Sequence, residues 1–346
     1  FSYARLVLGV LPGDDAAELF IEQDPTTGAL LAESHNREFT GRMAFAAFAT
    51  VPAHPIPLHV SGDRTVFIGL HGSPAQPAAL SRDPVLDGPL GAGLDPCFAL
   101  QMILQLEPGA TLECAYLLGE AENGAAACRL VHQYREDGAI AAALAEVQAF
   151  WHHELGSVQI QTPMPALDIM INGWLAYQTL SCRLWGRSAF YQSSGAFGFR
   201  DQLQDAAALI YHDPERTRQQ ILLHAAHQFQ EGDVLHWWHP PTGCGIRTRF
   251  SDDLLWLPHI ATFYARATGD WSLFGEPVRF LRARLLEPGE DEAFLTPEDS
   301  GEVASLYEHC CRALDRSLTQ GAHGLPLMGT GDWNDGMNRV GREGRG

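Results

Sequence analysis

A short loop between residues 328 and 341 combines two carboxylates with an indole ring, a set of groups suited to breaking a bond between sugars. It reads Met-Gly-Thr-Gly-Asp-Trp-Asn-Asp-Gly-Met-Asn-Arg-Val-Gly, with Asp332 and Asp335 on either side of Trp333. Cleaving a glycosidic bond needs an acid that protonates the departing oxygen and a flat apolar face for the sugar ring. Asp, Asn and Gly also favour turns on local grounds, so the loop alone is equally compatible with a turn around a buried tryptophan.

Further segments, taken in order with this loop, identify the chain as a member of a family. Residues 191–205, 236–241 (His-Trp-Trp-His-Pro-Pro), 247–258 and 332–338 resemble the glycoside phosphorylases of glycoside hydrolase family 94. Segments 36–42 and 91–101 are most similar to the carboxy-terminal phosphorylase region of bacterial cyclic β-1,2-glucan synthases. The resemblance therefore covers essentially the whole chain.

The resemblance implies a reaction that inverts the anomeric centre. One carboxylic acid protonates the leaving oxygen while inorganic phosphate, a co-substrate, attacks from the opposite face; no cofactor is implied. Asp335 matches the family's acid, and Asp332 is then interpreted as a turn-capping residue. An inverting hydrolase would instead need a second carboxylate that activates water. Partial burial would have to keep Asp335 protonated at neutral pH.

Two charged residues match family positions that hold the non-reducing glucose. They are Arg187 and Asp201, which can both form charge-assisted hydrogen bonds with vicinal hydroxyls. The alternative is a structural ion-pair cluster of Arg200, Asp201 and Asp205, which we favour for Arg200 and Asp205. Relatives that act on cellobiose or chitobiose carry another arginine near the phosphate, and this chain has none between Arg187 and Arg200.

Other residues are assigned to phosphate and to the sugar cleft. Arg247 and Arg249 are expected to replace the arginine that binds phosphate in those relatives. Trp237 and Trp238 are interpreted as aromatic walls of a sugar cleft, since pyranose faces pack on tryptophan; a buried core pair is the alternative. Two histidines three residues apart without a third ligand do not indicate a metal site.

Composition narrows the classes of partner. The 346 residues carry a formal net charge of −19, which argues against nucleic acid and anionic membrane surfaces as partners. The partner implied by the resemblance is a β-linked oligo- or polyglucan. Seven cysteines without a Cys-x-x-Cys pair suggest neither a disulfide framework nor a zinc ribbon. They fit a reducing compartment.

The pattern of elements predicts two unlike halves. Residues 1–122 read as an antiparallel β-sandwich, with β-rich runs at 4–10, 19–22, 65–70 and 111–118. Residues 123–163 read as a helical linker, and 164–346 as helices punctuated by long loops. Helical patterns cover 138–152, 251–266 and 301–318, and Asp213 and Pro214 predict a helix start. The resemblance implies that 164–346 forms the first, truncated part of an (α/α)6 barrel.

The sequence also predicts the cellular setting of the chain. The segment itself is expected to be soluble, because no run of about 20 apolar residues occurs. It reads as part of a larger bacterial protein, anchored elsewhere to the inner membrane and facing the cytoplasm. In the family, a histidine and a Thr-Gly backbone site that bind phosphate lie well beyond the acid. Residues 1–346 alone are therefore expected to show no phosphate-dependent cleavage and to associate through exposed helix faces.

Overall fold

The chain divides into two compact units, Phe1–Gln148 and Ala149–Gly346. The computed structural model describes residues 1–8, 15–35, 41–51, 57–81, 85–186, 195–240 and 242–331. The sequence-predicted bounds 1–122, 123–163 and 164–346 remain predictions.

The first unit is built mainly from strands in two antiparallel sheets. One sheet has the order β1-β6-β5 and the other β2-β3-β4-β7. The strands are β1 (Ser2–Arg5), β2 (Leu19–Gln23), β3 (Leu30–Ser34), β4 (Met43–Val51), β5 (Leu58–Asp63), β6 (Pro96–Met102) and β7 (Glu113–Ala121). Short helices α1 (Asp15–Glu18) and α2 (Arg64–Ile68) and a 3₁₀ turn (Ala78–Leu80) lie between them.

The two sheets share a core, as the β-sandwich prediction requires. Ile21 and Leu30 of one sheet and Phe98 and Leu100 of the other belong to a single buried cluster. The opposite face of the four-stranded sheet is covered by α3 (Gly124–Tyr134), whose Val131 packs with residues of β3 and β4. Helix α4 (Ala139–Gly156) follows, where the alanine-rich pattern predicts a helix.

The predicted β-run at 65–70 is wrong. These residues lie largely in α2, because the Asp63 carboxylate accepts hydrogen bonds from both the backbone N–H and the hydroxyl of Thr65. Phe67 and Ile68 are buried. A cap can thus override the β-propensity of a short Thr-Val-Phe-Ile run.

The second unit contains the remaining helices, which pack with one another. Two stretches within the first helical run have π-helical hydrogen bonding, Met170–Trp174 and Thr179–Trp185. The helices are α5 (Pro165–Ile169), α6 (Leu175–Gln178), α7 (Phe199–Ala207), α8 (Pro214–Ala225), α9 (Trp256–Thr268) and α10 (Leu306–Ser317), with 3₁₀ turns at Asp253–Leu255 and Trp271–Gly275. Helix α8 begins as predicted, capped by the Asp213 carboxylate on the Arg216 N–H with Pro214 in the first turn.

Strands also occur in the second unit, where only helices and loops were predicted. A four-stranded antiparallel sheet has the order β12-β10-β9-β8, and a separate two-stranded antiparallel sheet pairs β11 with β13. The strands are β8 (Phe197–Gly198), β9 (Leu235–Trp238), β10 (Gly245–Thr248), β11 (Pro277–Arg282), β12 (Glu292–Leu295) and β13 (Glu298–Ser305). The predicted helix at 301–318 is accordingly a strand up to Ser305 and a helix from Leu306.

One apolar core joins helices α7 to α10 with β9 and β11. Phe199, Ile221, Ile260, Leu306 and Trp238 are among its buried members. The core fixes the start of α7 and the ends of β9 and β10, which carry the site residues. The (α/α)6 barrel remains part of the proposal below.

Candidate active site

Five of the sequence-predicted site residues lie within the described part of the chain, and three lie outside it. The described residues are Asp201, Trp237, Trp238, Arg247 and Arg249. Arg187, Trp333 and Asp335 fall outside the described residues, as does Asp332. The site is therefore built from Asp201 and from the segment that leads to the loop.

Asp201 lies in the first turn of α7, directly after β8. A Cβ on Gly198, the residue before the helix, would lie 2.4 Å from Asp201 Oδ2, so the carboxylate folds back over the helix start where only a glycine leaves room. The N-terminal end of a helix favours a negative charge. Asp205, one turn later, receives two hydrogen bonds from Nε of Arg183 at 3.0 and 3.1 Å. The sequence predicts an ion pair of Asp205 in a cluster with Arg200 and Asp201, whereas here its partner is Arg183, and a structural role for Asp205 stays a prediction.

Arg200 links Asp201 to two further carboxylates. Its Nη1 lies 3.2 Å from Asp252 Oδ2 and 3.9 Å from Asp253 Oδ1, and its Nε lies 3.9 Å from Asp201 Oδ1. The Arg200 side chain is only 6% exposed. Among the described residues, Arg200 therefore lies within 4 Å of three carboxylates.

Burial and neighbouring charges both affect the pKa of Asp252. Burial raises the pKa of Asp252, and the neighbouring Asp253 charge raises it further. Arg200 and a hydrogen bond from Trp256 Nε1, at 3.2 Å, oppose the increase. Asp252 thus favours a bound proton more than an exposed aspartate would.

His236, on β9, completes the cluster from the sheet. Its Nδ1 lies 2.7 Å from Oδ2 of Asp253, whose side chain is 3% exposed. A carboxylate can only accept, so the Nδ1–H of His236 donates. The imidazole also contacts the Phe250 ring, with centroids 4.6 Å apart at 60°.

The segment before the loop is fixed beside this cluster. Ser251 N–H donates to the carbonyl of Gly331 at 3.0 Å, and Phe250 forms a β-bridge with Gly329. Gly329 has φ +67°, and a Cβ there would lie 2.4 Å from the Arg249 carbonyl oxygen. A Cβ on Gly331 would lie 2.7 Å from the Phe250 ring. The chain therefore reaches Asp332 from a closely packed position next to Asp252 and Asp253.

The structure thus brings together residues that sequence reasoning had left without a role. His236, Asp252 and Asp253 lie within segments that carry the family resemblance, yet no function was assigned to them. The signal that could have identified them is the pair of adjacent aspartates at the start of a helix, since two neighbouring carboxylates require a buried cation nearby. Arg200 is that cation.

The two tryptophans of β9 have different environments. Trp238 is 1% exposed and belongs to the apolar core, where it stacks on His227 with centroids 3.9 Å apart. It cannot form a wall of a sugar cleft, so for Trp238 the core alternative is correct. Trp237 is partly exposed beside His239 and Phe294. Its role as an aromatic wall stays a prediction.

Arg247 is not placed to bind phosphate. Its side chain is 1% exposed, and Nε and Nη2 each lie 2.7 Å from the Asp233 carboxylate. Nη2 also reaches Glu231 at 3.0 Å, Nη1 donates to the carbonyl of Arg284, and the guanidinium lies 3.9 Å from the Phe229 ring centroid. Every nitrogen of the guanidinium is engaged by protein groups, so the phosphate assignment of Arg247 is wrong.

Arg249 is exposed but also binds its own chain. Its Nε donates to the carbonyl of Glu290 at 2.8 Å, and Nη2 donates to the carbonyls of Leu286 and Glu287 at 3.1 and 3.0 Å. These contacts fasten the 286–290 loop to the end of β10. A phosphate-binding role for Arg249 stays a prediction.

The described ranges contain neither a metal-binding group of side chains nor a membrane-spanning helix. Within those ranges no group of three His, Cys, Asp or Glu side chains could hold a metal ion. The same part of the chain contains no helix that is both long and apolar enough to cross a bilayer.

Two family descriptions match the chain. Residues 150–345 match the glycosyl hydrolase 94 superfamily catalytic domain, and residues 1–137 match the glycosyl hydrolase 94 supersandwich domain. The chain belongs to glycosyl hydrolase family 94. The family predicted from the sequence is confirmed.

Individual relatives make the resemblance more specific. The chain is 41% identical, over all of its length, to 12% of the cyclic beta-(1,2)-glucan synthase NdvB of Rhizobium meliloti (strain 1021). It is 30% identical over 82% of its length to the N,N'-diacetylchitobiose phosphorylase of Vibrio proteolyticus, and 27% identical over 92% to the solabiose phosphorylase of Paenibacillus borealis. It spans 36% and 37% of those two phosphorylases.

Proposed function

We propose that this chain is part of an inverting phosphorylase that acts on β-1,2-glucan and releases α-glucose 1-phosphate from non-reducing ends. The observation that carries the proposal is the 41% identity with NdvB along the full chain, together with phosphorylases among the other relatives. In the larger protein, this activity would limit the length of the glucan.

The site geometry supports specific roles. The Ser251 N–H donates to the carbonyl of Gly331, and the next residue, Asp252, pairs with Arg200. A loop that begins there can carry Asp335 as the acid and Trp333 as the platform for a sugar ring. Asp201 and Arg187 would bind hydroxyls of the non-reducing glucose, where charged partners give stronger hydrogen bonds than neutral ones.

Inorganic phosphate is the co-substrate in this proposal, and its binding residues must differ from Arg247. Because that guanidinium is surrounded by Asp233, Glu231 and backbone carbonyls, phosphate would have to displace two ion pairs. We expect phosphate to bind through Arg187 and through residues of the larger protein. An (α/α)6 barrel would supply such residues from helices that surround the same cleft.

The cellular setting belongs to the same proposal. The chain matches a small part of NdvB, so we place it within a larger protein that is anchored to the inner membrane by other regions and presents this part to the cytoplasm. Residues 1–346 alone are expected to be inactive.

Asp335→Asn tests the acid directly. In the full-length protein, the exchange should lower phosphorolysis of β-1,2-gluco-oligosaccharides by about 10²–10⁴-fold, since it removes a proton donor while preserving its shape. Release of α-glucose 1-phosphate should be measured with and without phosphate, and sugar binding by calorimetry. Asp332→Asn serves as the neighbouring control. Activity of Asp335→Asn within tenfold of wild type would refute its assignment.

A glucan-binding module without turnover is the second candidate, because Arg247 does not replace the missing phosphate arginine. The same assay separates the candidates. Binding of the oligosaccharide without phosphate-dependent cleavage by the full-length wild type would favour the binding module. Free glucose released without phosphate would indicate an inverting hydrolase.

A further inference from the structure

The imidazole of His236 touches both halves of the candidate site, although no catalytic role follows from the sequence for it. One edge binds Asp253 through Nδ1 at 2.7 Å, and the ring contacts Phe250. Asp253 belongs to the carboxylate cluster around Arg200, and Phe250 packs on the segment that precedes the loop. His236 therefore contacts both the carboxylate cluster, through Asp253, and the segment before the loop, through Phe250.

The first of these connections concerns charge. Among the described residues, Asp253 contacts His236 directly, Arg200 and Asp252 interact with Asp253, and Asp201 lies near Arg200. Oδ1 of Asp253 is buried and has no hydrogen-bond partner, and its nearest cation, Arg200, is 3.9 Å away. The Nδ1–H of His236 is thus the short contact that orients this carboxylate. Without it, Asp253 would compete with Asp252 and Asp201 for the same guanidinium.

The second connection concerns position. The Phe250 ring lies where a side chain on Gly331 would be, and the neighbouring Ser251 N–H holds the Gly331 carbonyl at 3.0 Å. A shift of His236 would release the Phe250 ring toward the glycine. Since Gly331 directly precedes Asp332, that shift would be passed to the loop that carries the proposed acid.

We propose that His236 is a positioning residue, held by Asp253, that fixes the Arg200–Asp201 pair and the segment from Gly329 to Gly331 in one arrangement. The inference rests on the proposed function, because it predicts an effect on phosphorolysis. The proposed role of His236 requires the Nδ1–H that donates to Asp253, and the volume of the ring alone is not enough. A donor at that position should therefore restore activity even without an imidazole.

Two substitutions separate the donor from the ring. His236→Phe keeps a ring of similar size but removes the donor to Asp253. His236→Asn loses the ring but places an amide N–H close to the position of Nδ1. In the full-length protein, kcat should fall by about 30- to 100-fold in His236→Phe, with KM for the oligosaccharide changed less than threefold. His236→Asn should recover at least tenfold of that loss.

His259→Phe is the matched control, because His259 is an exposed histidine on α9 that contacts Trp256. It should keep wild-type kcat. Thermal unfolding of each variant shows whether a loss of activity reflects a loss of folded protein, and kcat is then expressed per folded molecule.

The outcomes are distinct. A His236→Phe protein with kcat within threefold of wild type overturns the inference and leaves the proposed function intact. Equal losses in the Phe and Asn variants also overturn it, since only ring packing would then matter. A wild-type protein without phosphate-dependent cleavage overturns the proposed function, and the inference with it. A loss in the Phe variant with recovery in the Asn variant supports it.

Discussion

Arg200 and Arg247 are both buried arginines with several carboxylates, yet their surroundings differ in a way that separates a site from a structural support. Arg247 has contacts of 2.7 to 3.0 Å with two carboxylates, donates to a backbone carbonyl and stacks on an aromatic ring. Arg200 reaches three carboxylates at 3.2 to 3.9 Å. The contacts of Arg247 are short and use each of its guanidinium nitrogens, whereas the contacts of Arg200 with carboxylates of the described residues are longer.

The difference shows how to judge a buried arginine. A guanidinium with five donors in a rigid fork stabilises a fold when each donor has a fixed protein acceptor. The Arg200 cluster differs in that its carboxylates lie at a helix start and on a neighbouring turn, and binding of sugar hydroxyls there is part of the proposed function. The predictions below test whether the Arg247 cluster governs folding and the Arg200 cluster governs activity.

The largest expected effect is on the stability of the Arg247 cluster. Arg247→Met should destabilise the second unit by about 3–5 kcal/mol, because it leaves the Asp233 carboxylate buried without its partner. Thermal unfolding and hydrogen exchange of β9 and β10 would measure the loss. Phosphate KM per folded molecule should not change.

Arg279→Met is the control for that prediction, since Arg279 and Asp299 form an exposed pair at 3.0 Å. An exposed ion pair contributes at most about 1 kcal/mol. If Arg247→Met unfolded no more easily than this control, while its phosphate KM rose strongly, Arg247 would be a phosphate ligand after all.

The next effect concerns activity. Asp201→Asn should lower kcat/KM for the oligosaccharide by about 10²-fold, because it removes a charged acceptor for sugar hydroxyls, while unfolding stays close to wild type. Steady-state kinetics of the full-length protein measures it. Asp299→Asn is an exposed control. A value of kcat/KM within threefold of wild type would contradict the role of Asp201 in sugar binding.

His227, which precedes β9, allows a test of the acid sensitivity of the core. Burial lowers the pKa of His227, which stacks on Trp238, to about 4. The unfolded state titrates near 6.5, so His227 contributes stability that is complete above that pH and is lost as pH falls from about 6.5 toward 4. At pH 5, the loss should be about 2 kcal/mol.

Hydrogen exchange of α8 and β9 at pH 7 and pH 5, corrected for intrinsic rates, would detect this loss. His227→Phe should reduce the difference between the two pH values, since phenylalanine preserves the stacked ring and does not titrate. An unchanged difference would show that another group controls the acid sensitivity of this region.

The smallest effect is expected at Arg249. Arg249→Ala should destabilise locally by about 1 kcal/mol, because exposed hydrogen bonds to carbonyls of the 286–290 loop are lost. Faster hydrogen exchange in that loop is the measurement, and phosphate KM should stay within twofold. A phosphate KM raised by tenfold or more would restore the sequence-based assignment of Arg249.

Sequence predicted best the features that depend on neighbouring residues. The start of α8 follows from Asp213 and Pro214, and α4 follows from its run of alanines, because caps and helix propensity act within a few residues. The strands β8 and β9 were missed since they are two and four residues long and gain stability from partners distant in the chain. Short strands carry too few positions for an alternating pattern to be recognised.

The same limit applies to the site. Arg247 and Arg249 occur as Arg-Thr-Arg, and their spacing gives no sign that one is closed in by Asp233 while the other fastens a loop. Trp237 and Trp238 are adjacent, yet one is partly exposed and the other buried, because neighbouring strand residues face opposite sides of a sheet. Burial depends on which side meets the core, and that is decided by α8 and α9.

Gly329 and Gly331 lie so close to neighbouring chain that neither position has room for a side chain. At these two positions the absence of a side chain lets the Arg249–Ser251 backbone lie directly against the segment. A single methyl group at either position would push the 329–331 segment away from Arg249 and Phe250. The displaced backbone would lead directly into the segment that carries Asp335, the proposed acid. A single carbon atom added at Gly329 or Gly331 is therefore expected to lower the proposed activity even though Asp335 itself is unchanged.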